Sequence, residues 1–127
     1  MTGRKFDSEK EQYTLIPPFA LREIARNLTF GARKYEPENW KKVPNAKKRY
    51  LDALFRHVEA YRLGEVNDPE NGLHHLAAAA VNLMFVMEFE LAGIPEVKDG
   101  ATNSDSALIV RETSNDGLPP DEDWFSQ

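Results

Sequence analysis

The sequence predicts an all-α protein: a small helical bundle of three main helices, completed by oligomerisation, with a flexible acidic C-terminal tail. Three observations lead there. Apolar residues recur at helical rather than alternating spacing. Proline, asparagine and glycine punctuate the ends of three such segments. The most apolar stretch, "GLHHLAAAAVNLMFVMEFE" at residues 72–90, is apolar on nearly every side, as expected of a helix central in its domain or buried between subunits.

The elements follow in order. Residues 4–16 are of mixed character and read as an ordered arm. Pro17 and Pro18 open the first helix, since proline suits a first turn. Its apolar face is Leu21, Ile24, Ala25, Leu28 and Ala32, with Glu23, Asn27 and Lys34 opposite. The second helix runs from Asn45, an expected N-cap, to Leu63, and Gly64 stops it. Leu51, Leu54, Phe55 and Val58 are its expected core face, and Tyr50, His57 and Tyr61 form an adjoining stripe. In "GEVNDPENG", Asp68 and Pro69 read as N-cap and first residue of a third helix, which extends to Ala92 and closes at Gly93. Residues 1–95 are thus the helical domain, and residues 96–127 an irregular tail.

A chain of 127 residues suffices for one compact domain. Its net charge of −5 is unevenly spread, because residues 96–127 hold eight acids against two bases. The body is near neutral, which argues against a stable nucleic-acid complex. Without cysteine there is neither a disulfide nor a thiolate metal site. The N-terminus "MTGRKFDSEKEQ" lacks the apolar core of a signal peptide, and charged and polar residues interrupt residues 72–90, so no membrane partner is expected and the expected localisation is cytoplasmic.

The polar residues of the third helix carry the functional reading. His75 and Asn82 share one stripe, about 10 Å apart, with Ala78 and Ala79 leaving room between them. Buried without partners, each costs on the order of 1–3 kcal/mol, so a ligand, a metal or a facing polar network must satisfy them. His57 on the antiparallel neighbour is placed to converge with His75, and neutral imidazoles ligate transition metals. Glu65 and Asp68, in the connection, have carboxylate spacing suited to a hard cation, while helix capping is the simpler role for Asp68. Lys5, Lys10, Arg26, Arg33, Lys34, Arg49 and Arg56 offer phosphate contacts or merely solubilise the surface. "FGARKYEPENW" sets Phe30, Tyr35 and Trp40 beside cations, which suits a nucleobase with its phosphates, and suits packing of a loop onto the core nearly as well.

Taken in sequence, "KFD", "LIPP", "LTFGARKYEPENW", "RHVEAYRLGE" and "DPENGLHHLAAAAVNLMF" resemble the phage-associated dATP/dGTP diphosphohydrolase N-terminal domain family over residues 4–92. The resemblance implies hydrolysis of a purine deoxynucleoside triphosphate to the monophosphate and pyrophosphate, with a divalent metal (magnesium, manganese or cobalt), in the cytoplasm of a bacterial host. It also implies kinship with MazG-like all-α nucleotide pyrophosphatases, whose acidic metal cage this chain replaces with Asn82, His57 and Glu59 at the corresponding positions. The implied metal ligands are then His57, Glu65, Asp68 and His75, and the implied catalytic residues His57, His75 and Asp68. Lys34 and Arg56 would hold phosphate oxygens, Tyr35 or Trp40 would face the base, and Asn82 would line the site. The expected partners are a nucleoside triphosphate and further copies of the chain. The alternative is a nucleotide-binding or phage–host interaction protein on the same scaffold, without catalysis.

Overall fold

The computed structural model describes residues 1–98, so the acidic tail from residue 99 onward lies outside the described residues. Among the described residues the fold is all-α: α1 (Pro18–Lys34), α2 (Ala46–Arg62) and α3 (His75–Leu91). Short 3₁₀ turns, Tyr13–Leu15 and Asn39–Lys42, precede α1 and α2. α3 packs against both other helices, and its interface with α2 is the larger. No helix among the described residues is long and apolar enough to cross a membrane.

The core joins Ala46 and Tyr50 of α2 to Val81, Phe85 and Phe89 of α3. Trp40 seals it from the 3₁₀ turn, its ring stacked on Phe85 with centroids 4.5 Å apart and edge-on to Phe89 at 5.4 Å. The Tyr50 hydroxyl donates to the Trp40 carbonyl at 3.0 Å. Burial pushes the Tyr50 phenol well above its ordinary pKa, so it stays a neutral donor.

The buried face of α2 differs from the expected one. It is Ala46, Tyr50, Ala53 and His57, while Leu51 and Phe55 are exposed. These four positions also keep helical spacing, but small and amphipathic residues let α3 approach closely, and the Tyr50 hydroxyl finds a backbone partner. α1 is rotated from expectation in the same way. Asn27 and Gly31 are buried, Ile24 and Leu28 are half-buried, and Leu21 and Ala25 face solvent.

Helix ends also depart from the sequence reading. α3 begins at His75, not Pro69, and His74 rather than Asp68 caps it, its Nδ1 accepting the Leu76 N–H at 3.0 Å. Asp68 instead folds the preceding loop, its Oδ1 accepting the Glu70 N–H at 2.9 Å. Asn45 stands before α2 as expected, but in a left-handed conformation (φ 53°) and with no side-chain capping bond. The first turn of α2 is served from a distance, since Glu96 Oε1 accepts the Lys47 N–H at 2.9 Å. The Asn45 N–H donates to the Val97 carbonyl at 2.9 Å, so the folded packing continues past residue 95. Gly64 (φ 105°) and Gly93 (φ 69°) end α2 and α3 in the left-handed region, as predicted.

Candidate metal centre

The loop between α2 and α3 shapes the site. The Gly72 N–H donates to the Asp68 carbonyl (2.7 Å) and the Asp68 N–H to the Leu73 carbonyl (2.8 Å), closing a compact turn with Gly72 at φ 75°. The His75 N–H donates to the Val66 carbonyl at 2.9 Å, so the loop lies across the first turn of α3. Asp68 is thereby held inward, buried beside the facing histidines of α2 and α3. Ligand atoms of His57, Asp68 and His75 all lie within 4.8 Å of one another.

His57 Nδ1 and His75 Nδ1 are 2.8 Å apart, and His75 Nε2 lies 2.7 Å from Glu65 Oε1. A carboxylate only accepts, so His75 Nε2 carries a proton and its Nδ1 presents a lone pair. In the neutral pair the proton between the rings belongs to His57 Nδ1, leaving His57 Nε2 bare, buried and without a partner among the described residues. His57 is 1% exposed, and burial, reinforced by His75, pushes its imidazole down to about 4 against the opposing pull of Asp68. It is therefore a neutral nitrogen donor at pH 7.

This donor set fits a divalent metal. Two imidazole nitrogens and a carboxylate suit a borderline transition ion. Glu65 supplies the outer hydrogen bond that fixes the tautomer of a ligating histidine. The orphaned His57 Nε2 is the atom that a bound cation would satisfy.

The structure thus brings together His57, Glu65, Asp68 and His75. Asn82 is buried two turns along α3, its Nδ2 donating to the Ala78 carbonyl at 2.8 Å and its Oδ1 unpartnered. Lys34 reaches the same loop by a different route, with its Nζ 2.6 Å from Glu70 Oε2 in a largely buried ion pair. Its ammonium also lies 5.6 Å from the Tyr35 ring centroid. Trp40 is packed against Phe85 and Phe89, and Arg56 is exposed on α2. Sequence reasoning missed Asn27, which is 1% exposed with neither amide atom partnered. It also missed Glu70, whose carboxylate fixes Lys34. No sequence signal joins those two across 36 positions.

Comparison with known proteins identifies the family of the fold. Residues 1–99 match the family model described as dATP/dGTP diphosphohydrolase, N-terminal. A protein of Salmonella phage PMBT28 named dATP/dGTP diphosphohydrolase is 44% identical over 86 residues, covering 68% of this chain. That match spans only 29% of the phage protein's length. No solved structure matches the chain. On the strength of the match over residues 1–99, the chain belongs to the dATP/dGTP diphosphohydrolase N-terminal family.

Proposed function

We propose that this helical domain takes part in hydrolysing purine deoxynucleoside triphosphates to the monophosphate and pyrophosphate, with His57, Asp68 and His75 holding a divalent metal. One observation carries the metal reading: three donor side chains, all buried, converge within 4.8 Å in a chain whose relative is named for this activity. A metal held there supplies charge neutralisation at the phosphates and activation of the attacking water. Glu65 fixes the orientation of His75, and the low proton affinity of His57 keeps it available as a donor at neutral pH. Lys34, paired with Glu70 of the same loop, would exchange that partner for phosphate oxygens, with Tyr35 and Asn82 as further proposed contacts. The proposed active form is a homo-oligomer, because α3 leaves Leu76, Leu83, Met84, Met87 and Leu91 exposed.

A second reading is nucleotide binding, or phage–host interaction, without turnover. What favours it is that the cluster holds a single carboxylate, and one oxygen of Asp68 already accepts the Glu70 N–H. One experiment separates the two. The purified chain is incubated with each deoxy- and ribonucleoside triphosphate and magnesium, manganese or cobalt. Release of monophosphate and pyrophosphate from dATP or dGTP is expected. Nucleotide binding without products in all three metals supports the second reading.

A further inference from the structure

Outside the histidine cluster, the outer face of α1 forms one wall of an open groove of about 420 Å³. Arg22, Arg26, Thr29 and Arg33 follow one another at helical spacing along that wall, so the three guanidiniums form one row. From first to last the row extends about 16 Å along the helix axis. Asn71 and Leu73 form the opposite wall, and they belong to the loop that carries Asp68 into the cation site.

Most of the charge here is uncommitted. Among the described residues, Arg22 and Arg33 form no ion pair, and Arg26 shares only one nitrogen with Glu23, at 3.0 Å. Asn71 uses its Oδ1 to accept the Leu73 N–H, which leaves its NH₂ group free to donate. All four residues therefore present donors to the groove, and no carboxylate lines it. Guanidiniums bind phosphate oxygens in forked, charge-assisted pairs, and a concave row concentrates their field. A folded domain of near-neutral charge is poorly matched to a long nucleic acid, but this groove suits a short, multiply charged chain.

We infer that the groove is a polyphosphate site, in which Arg22, Arg26 and Arg33 of α1 and Asn71 of the loop between α2 and α3 hold the phosphate chain of the ligand. The identification of that ligand as a nucleoside triphosphate rests on the function proposed above; the anion site rests on the groove itself. A phosphate chain lying there runs beside the loop that positions Asp68, so anion and cation sites share one structural wall.

The test is calorimetric titration of the full chain with inorganic tripolyphosphate in the presence of a chelator, so that metal plays no part. Wild type should bind, and the double variant Arg22→Ala, Arg33→Ala should bind at least tenfold more weakly with unchanged helicity. Lys48→Ala, an exposed charge outside the groove, should bind as wild type. His75→Ala should also keep tripolyphosphate binding, even with triphosphate turnover lost. Absence of binding by wild type, equal binding by the double variant, or an equal loss in Lys48→Ala overturns the site. Displacement of tripolyphosphate by a short DNA duplex at lower phosphate concentration overturns the ligand class. If tripolyphosphate binds through the arginines while no nucleotide is hydrolysed, the groove assignment stands and the hydrolase reading fails. If nucleotides are hydrolysed with the same KM in the double variant, the hydrolase reading stands and the groove assignment fails.

Discussion

His57 and His75 meet nitrogen to nitrogen, with their Nδ1 atoms 2.8 Å apart. Two lone pairs at that distance would repel, so a proton lies between them, donated by His57 Nδ1 to His75 Nδ1. The occupant of that gap sets the state of the whole site, and four predictions follow from the surrounding packing.

Acid should destabilise the fold through His57. Its imidazole is held at about 4, against 6.5 in the unfolded chain. As pH falls through 6.5 the unfolded chain takes up this proton first. The stability contributed by neutral His57 is therefore complete above pH 6.5 and is lost on going from 6.5 down to 4, at up to about 1.4 kcal/mol per pH unit. Urea unfolding at several pH values across this window should show the slope, and His57→Gln should flatten it. An unchanged slope in the variant assigns the acid sensitivity to other groups.

Glu65 should govern metal affinity more than folding. Its side chain is half exposed, yet it accepts the His75 Nε2 proton at 2.7 Å. Glu65→Ala should weaken manganese binding about 10–100-fold. The thermal midpoint of the metal-free chain should move little, as for other exposed substitutions, within about 0.5 kcal/mol. Wild-type metal affinity in this variant would show that His75 needs no outer support.

Asn27 should be replaceable at a gain. Neither amide atom has a partner among the described residues, although the residue is buried between α1 and its neighbours. Asn27→Leu removes an unsatisfied amide while keeping the same branched heavy-atom shape, and should stabilise the chain by about 1 kcal/mol. Chemical denaturation measures this directly. A loss of stability instead means that the amide is satisfied in solution, by water or by a ligand.

The exposed apolar row of α3 should hold subunits together. Leu83, Met84 and Met87 share one side of the helix and are more than two-fifths exposed. Introducing Leu83→Glu together with Met87→Glu should convert the oligomer to monomer in light scattering without loss of helicity. A wild-type chain that is already monomeric at micromolar concentration sinks the prediction.

The helix count and the glycine stops at Gly64 and Gly93 were legible because each has a strictly local cause: a left-handed backbone turn or a run of helical periodicity. The buried face of α2 was not. Ranking by apolarity favours Leu51 and Phe55, whereas the structure buries Tyr50 and His57, whose hydroxyl and Nδ1 meet Trp40 and His75 on other elements. The start of α3 was misplaced because Asp68-Pro69 has the signature of a helix start, yet the Asp68 side chain spends its hydrogen bond on a loop turn. Convergence of His57, Asp68 and His75 was readable because they flank one short connection between antiparallel helices. The Lys34–Glu70 pair and the arginine groove needed the docking of α1, which sequence periodicity does not encode.

The three candidate metal donors and Glu65 all lie between positions 57 and 75, within one helix–loop–helix hairpin. Contacts this close in sequence form with little loop-closure entropy and are among the earliest a chain can make. The donor set is thus local to the hairpin, whereas the groove needs α1 set against the loop, with Arg22, Arg26 and Arg33 on one side and Asn71 on the other.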